Sequence, residues 1–218
     1  MVEVLSRRSS GQSYVYALVD RVPRRWRSPA AGVGGGSVVA QSIHDLVLIV
    51  SPVTSPLART LRSQAVHDDV VASLMDAEAV VPFPFGTAVV DLQSWVEARA
   101  RELRAALVAV RGAVEMTVRL LRLDAGVDGP HLRSLAERLI ERAALPHWRY
   151  RPSANPTNVA ASLSFLVPRD EVPAFLARIA PVASRAAGLA VVPTGPAPAY
   201  SFVSAAELDR APALAPAG

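Results

Sequence analysis

Histidine is the side chain best suited to proton transfer or metal binding near neutral pH, and the chain has four, at positions 44, 67, 131 and 147. No two stand four residues apart, the spacing that puts two imidazoles on one helix face. Cysteine is absent, which also removes thiolate ligands, disulfides and cysteine nucleophiles. His67, Asp68 and Asp69 together carry the atoms of an acid–base pair. They read as helical, however, and adjacent helical residues do not face one another, so a solvated helix face is the expected role. Ser201 and Ser204 have no evident base partner, and no G-x-S-x-G elbow occurs. The expectation is no catalytic residue, no metal ligand and no cofactor.

Two further segments invite a binding role. Gly32 to Ser37 is glycine-rich, but a phosphate loop needs a helix after it and usually a lysine. A strand is predicted to follow, and the chain contains no lysine, so a flexible loop is expected. Arg21, Arg24, Arg25, Trp26 and Arg27 join basic side chains to a ring, a combination that suits single-stranded nucleic acid. The strand predicted at Val114–Leu123 lacks the Gly-aromatic signature of RNA-binding sheets. A solvated loop with snorkelling arginine stems is favoured, and nucleic-acid binding stays as the alternative function.

Two stiff apolar elements stand out. Val80 to Thr87 holds two prolines, two rings and a glycine. Thr194 to Val203 is proline-rich and ends in an aromatic stretch. Such segments protect sheet edges, or they form rigid interaction surfaces with a low ordering cost. Phe83, Phe85, Tyr200 and Phe202 are the candidate partner-binding residues, and core packing is expected for at least half of them.

The elements that must position these residues follow from periodicity. Tyr14–Val19, Ser37–Ile43 and Leu46–Val53 read as strands, the last two joined in a hairpin at His44-Asp45. Pro56–Ala79 reads as a helix capped by Ser55, with Leu57, Leu61, Ala65, Val70 or Val71, and Leu74 inward. Val80–Phe85 reads as a strand whose prolines confine it to an edge or interrupt it. Asp91 caps a helix to about Val110, on which Glu97 and Arg101 are correctly spaced to pair.

The second half alternates more cleanly. Val114, Met116, Val118 and Leu120 share one strand face; Glu115, Thr117 and Arg119 share the other. A helix over His131–Ala144, strands at Trp148–Arg151 and Val159–Val167, and a helix capped by Asp170 follow. That helix is expected to reach about Ala187 with a kink or break at Pro181, before Gly188 as its C-terminal cap. Leu189–Val192 and Tyr200–Val203 supply the last strand. The β-α-β-β-α-β order predicts a ferredoxin-like domain. The fold class is therefore α+β in two domains: a small mixed α/β domain over 13–111, then the ferredoxin-like domain over 112–204. Residues 1–12 and the Ala/Pro tail 205–218 are expected to be disordered.

Composition sets the outer bounds. The chain has 218 residues, and its 23 basic and 19 acidic side chains leave a net charge of +4. That surplus is too small to indicate nucleic acid by itself. Its longest strongly apolar run is Leu46–Val50, far short of the roughly 20 residues that span a membrane. No secretory leader is recognisable at the start. A cytoplasmic protein with no membrane partner and no small-molecule substrate is expected.

Taken in order, the motifs resemble the gas vesicle GvpL/GvpF family. The shared pattern is Tyr14-Val15-Tyr16, the Gly32 to Ser51 segment, His67-Asp68-Asp69-Val70-Val71, Val81-Pro82-Phe83-Pro84-Phe85-Gly86-Thr87, Gly112 with Glu115, Phe165 to Asp170, and Thr194 to Phe202. The chain departs from it at Pro84, at Ala197 and Ala199, and in a shortened helical arm between Leu123 and Pro146. The resemblance implies a non-enzymatic accessory or minor structural protein without a cofactor. Its implied location is the cytoplasm and the gas vesicle. Its implied partners are the apolar shell protein and other gas vesicle accessory proteins, bound in a chaperone-like manner.

Overall fold

The computed structural model describes residues 11–54, 57–124, 128–153 and 158–203. It is a mixed α+β fold with two antiparallel sheets and four helices among those residues. The chain divides into two compact units, the second beginning at Val110.

The first unit runs β1 (Gln12–Val19), β2 (Val39–Ile43), β3 (Leu46–Val53), α1 (Leu61–Ala72), β4 (Val80–Pro82), β5 (Ala88–Val89) and α2 (Leu92–Val110). Its sheet order is β2-β3-β1-β4, and β5 also pairs with β1. β1 is central, and every residue from Tyr14 to Val19 is buried, as its aromatic and β-branched composition demands. A bulge lies at Tyr16, between the Val15–Val50 and Ala17–Ile49 pairs. β2 and β3 form the expected hairpin, and His44 takes the left-handed conformation at its tight turn (φ 53°). The proline-containing β4 lies at the edge, where its missing N–H costs nothing.

α1 starts later than the periodicity predicts. Thr60 caps it: the Ser63 N–H donates to Thr60 Oγ1 at 3.1 Å, and the Thr60 N–H donates to Ser63 Oγ at 2.9 Å. This reciprocal cap fixes the start of the helix. Ser55 and Pro56, the expected cap and first residue, lie outside the described residues. The inward face is also different. Leu61 is 91% exposed and Ala65 is exposed, while His67, Val70, Val71 and Leu74 are buried. His67 therefore belongs to the core, not to a solvated face.

Asp91 caps α2 as expected, its Oδ1 accepting from the Ser94 N–H at 3.1 Å. The expected Glu97–Arg101 pair does not form. Glu97 accepts from Gln93 and lies beside His44, whereas Arg101 pairs with Glu102. Arg104 makes a bidentate pair with Asp45 at 2.6 and 2.8 Å, joining α2 to the hairpin turn. That contact holds the Asp45 carboxyl down at about 2.

The second unit runs β6 (Ala113–Arg122), α3 (Gly129–Ala143), β7 (Trp148–Pro152), β8 (Val159–Pro168), α4 (Val172–Ala183) and β9 (Leu189–Ala197). Its sheet order is β7-β8-β6-β9, antiparallel throughout. One core forms as Leu132, Leu135 and Leu139 of α3 and Phe175 and Ile179 of α4 pack with Met116, Val118, Leu120, Leu163 and Phe165. Asp128 caps α3, accepting from the His131 N–H at 2.9 Å.

Three expectations change here. Asp170 sits in a short 3-10 turn, Arg169–Glu171, and is not the cap of α4, which starts at Val172 with no side-chain cap. α4 ends at Ala183 with Pro181 in its last turn, so Gly188 caps no helix. The Gly188 carbonyl instead accepts from Leu123 and Asp124. Finally, the last strand continues to Ala197 and stops; Tyr200–Val203 is a turn, closed by a Phe202 N–H bond to the Ala199 carbonyl. The stretches expected to be disordered fall largely outside the described residues.

Candidate interaction sites

Two polar clusters assemble from segments far apart in the sequence, one in each unit. The first is built on Tyr14, Tyr16 and His67. The Tyr14 hydroxyl lies 2.9 Å from His67 Nδ1, and the Gly86 N–H donates to the same hydroxyl at 3.1 Å. His67 also bonds the Phe83 backbone carbonyl. A neutral imidazole has one N–H and one acceptor nitrogen, which match the Phe83 carbonyl and the Tyr14 hydroxyl. Burial lowers the His67 pKa to about 4, with the Phe83 carbonyl opposing the shift. Burial likewise pushes the Tyr14 hydroxyl upward, so it remains a donor.

Tyr16 completes the cluster. Its ring stacks on His67 at 5.6 Å, and its hydroxyl bonds Ser51 Oγ at 2.9 Å while accepting from the Val33 N–H at 2.7 Å. The glycine run explains itself here. A Cβ on Gly32 would meet the Tyr16 hydroxyl at 2.2 Å. The segment must pass this close for the Val33 N–H to reach the hydroxyl, so Gly32 is a packing glycine. Phe85 covers the cluster edge-on, 6.0 Å from Tyr14 and 5.8 Å from His67.

The second cluster is built on Glu115. Only 6% of this residue is exposed, although it lies on the sheet face opposite α3 and α4. Its carboxylate accepts from the Ser201 N–H at 2.8 Å, from Ser201 Oγ at 2.7 Å and from Thr117 Oγ1 at 3.3 Å. Ser201 Oγ also lies 3.1 Å from Ser164 Oγ. A buried carboxylate needs such donors, and here they fix the turn after β9 to the sheet. Gly195 lets the segment approach: its φ is 121°, and a Cβ would meet the Glu115 carbonyl at 2.8 Å.

The four aromatic candidates separate. Phe83 is fully buried, edge-on to Trp95 at 5.7 Å, and offers no surface to a partner. Phe85 is half-buried over the first cluster. Tyr200 is 39% exposed on the turn that Ser201 anchors. Phe202 is half-buried, with the Arg149 guanidinium 5.5 Å above its ring. In the basic loop, Trp26 packs against the first core and donates through Nε1 to Ser73 Oγ at 2.9 Å. Arg21 lies between Asp20 and Glu78. That ring is committed to the fold.

No three His, Asp or Glu side chains converge as metal ligands among the described residues. No helix among them is long and apolar enough to cross a membrane. Sequence reasoning met His67 and Glu115 as motif residues but did not see that both are buried. The signal for His67 was its place in the 67, 70, 71, 74 helical series. Glu115 was visible only as a motif position beside Gly112, and strand alternation marks it for solvent.

A family model described as gas vesicle synthesis protein GvpL/GvpF matches residues 12–142 and 130–204. Gas vesicle protein F2 of Halobacterium salinarum is 28% identical over 205 residues, covering 89% of this chain and 93% of that protein. The crystal structure of gas vesicle protein GvpF from Anabaena sp. PCC7120 superposes with a TM-score of 0.75 at 15% identity, over 89% of this chain and 97% of the other. GvpF from Microcystis aeruginosa gives 0.72 at 11% identity, over 90% and 100%. At those identities the two structures speak for the fold alone.

Proposed function

Because the chain belongs to the GvpL/GvpF family of gas vesicle synthesis proteins, we propose that it is a non-catalytic accessory protein of gas vesicle assembly. It acts in the cytoplasm and on the vesicle, binding the apolar shell protein or other vesicle proteins in a chaperone-like way. A very apolar shell subunit aggregates unless its face or free strand edge is covered before assembly.

One observation carries the partner-binding reading: the turn after β9 presents Tyr200 on a backbone pinned by two Ser201 hydrogen bonds to buried Glu115. A ring held in this way loses little entropy on binding. Phe202 flanks it and Phe85 is a second, half-buried contact; Phe83 acts from the core. The strand order β7-β8-β6-β9 in a β-α-β-β-α-β chain supports reading 112–204 as a ferredoxin-like domain that carries this turn. Residues 13–111 then form the N-terminal α/β domain. The nucleic-acid alternative is less favoured because Trp26, the ring of the basic loop, is half-buried against the first core and donates to Ser73.

The test is coexpression with the host's small apolar shell protein and affinity capture of this chain at mild salt. A soluble, stoichiometric complex is the expected result. A shell protein that stays aggregated and uncaptured would rule out direct shell binding and move the role to the other vesicle proteins.

A further inference from the structure

The second sheet packs one face against α3 and α4, and strand register decides what the other face presents. Arg151 of β7 stands opposite Ser162 of β8, which stands opposite Arg119 of β6, which stands opposite Val192 of β9. Two positions along, Arg149, Ser164, Thr117 and Thr194 line up in the same way. On β7, β8 and β6 the residues between the rows, Tyr150, Leu163 and Val118, enter the helix-covered core. The two polar rows therefore share the opposite face.

Arg119, Arg149 and Arg151 are all exposed. None of them pairs with a carboxylate among the described residues. The carboxylate on this face, Glu115, is turned to Ser201 and Thr117 and nearly buried. With neighbouring strands about 4.8 Å apart, the stems of Arg119 and Arg151 start about 10 Å apart across Ser162.

We propose that this face docks an acidic segment of a partner protein. Guanidinium forks pair bidentately with carboxylates, and the hydroxyl of Ser162 adds a short donor between Arg119 and Arg151. Ser162, the small side chain between Arg119 and Arg151, leaves room for a backbone to approach. A single-stranded nucleic acid would need rings to stack on, and the central strands offer Thr117, Ser162 and Ser164 instead. Phe202 has the Arg149 guanidinium of this face over its ring. Charge complementarity thus selects a carboxylate-bearing peptide. The inference rests on the assembly reading only for the identity of its partner, an acidic accessory protein; the surface itself follows from the register.

The experiment measures binding of a labelled peptide of alternating Glu and Ser to the full chain, beside a Gln/Ser peptide and a labelled oligouridine. Arg119→Gln with Arg151→Gln is compared with Arg138→Gln and Arg142→Gln, which remove equal charge from exposed positions on α3. The acidic peptide is expected to bind in a salt-sensitive way. The first pair should weaken binding about tenfold, and the second pair less than about twofold, with unchanged melting temperatures. Equal loss from both pairs, no binding, or tighter oligouridine binding that depends on Arg119 and Arg151 would overturn the proposal. Shell-protein capture by the same variants is read separately, so failure here does not decide the assembly reading.

Discussion

The Tyr14 hydroxyl lies 2.9 Å from His67 Nδ1, across 53 positions of sequence. This contact ties the central strand of the first sheet to α1, and the Gly86 N–H ties the same hydroxyl to the segment before β5. Tyr14 and His67 are buried and Gly86 is half-buried, and each receives the partner its polarity requires. The cluster therefore fixes three segments against one another, at the cost of keeping an imidazole neutral in the interior.

That cost sets a pH dependence. The folded His67 titrates at about 4, against about 6.5 in an unfolded chain. Between those values the unfolded state binds a proton and the folded state does not, so stability falls as pH drops through the window. The loss is at most about 3 kcal/mol by pH 4, and above pH 6.5 the contribution is constant. Asp68, raised by burial, has the opposite slope at the acid end. Asp45, held at about 2 by Arg104, loses its contribution below the window. Denaturant melts of the wild type and His67→Gln at pH 7 and 4.5 should show a shallower pH slope in the variant. Parallel curves would contradict a buried neutral imidazole.

Gly32 predicts a steric result. Its own backbone (φ −91°) is open to any residue, so conformational freedom is not its purpose. A Cβ there would meet Tyr16 Oη at 2.2 Å, Val38 at 2.9 Å and Ser51 Oγ at 3.0 Å. Gly32→Ala should destabilise by about 1–3 kcal/mol. Tyr16→Phe in the same chain removes the nearest atom and should recover part of that loss, although it leaves the Val33 N–H without its acceptor. Additive losses in the double variant, measured by thermal melting, would show that the hydroxyl is not the obstacle.

The second cluster makes an energetic prediction of its own. Ser201 gives Glu115 two donors, and removing the side chain leaves a nearly buried carboxylate with one fewer. Ser201→Ala should cost about 1–3 kcal/mol. In a Glu115→Gln background the same change should cost less, because a neutral amide needs the donor less. A double-mutant cycle on denaturant midpoints reads the coupling. Zero coupling would mean that the turn after β9 is held by something other than Glu115.

Local pattern carried most of the elements into view. β1, β3, β6 and β8 are legible because their alternation or continuous burial is strong, α2 because its Asp91 cap and apolar face agree, and α3 because of its apolar face, although it starts two residues early, at Gly129, under an Asp128 cap. α1 was misplaced because Leu57, Leu61 and Ala65 mimic a helical face, while a Thr60–Ser63 capping box decides where the helix starts. The four aromatic candidates were visible as rings, but burial divides them, and burial depends on strand pairings far away in the chain. The two clusters were hidden for the same reason. Tyr14, Ser51, His67 and Gly86 are separate features in sequence, as are Glu115 and Ser201, and only the fold brings their polar atoms within bonding distance. The arginine rows needed the register of three strands.

The division of the aromatic residues gives the most direct functional prediction. Phe83 is fully buried against Trp95, so Phe83→Ala should cost about 3–5 kcal/mol and lower the melting temperature sharply. Any loss of partner capture in that variant is a consequence of unfolding. Tyr200 is 39% exposed on an anchored turn, so Tyr200→Ala should cost about 1 kcal/mol, far less than Phe83→Ala. If the turn is the docking element, that variant should still lose capture of the shell protein in the coexpression assay, and Tyr200→Phe should retain most of it through the ring. Capture unchanged in Tyr200→Ala would remove the turn from the interface. The half-buried Phe85 edge of the first unit would then be the next surface to test.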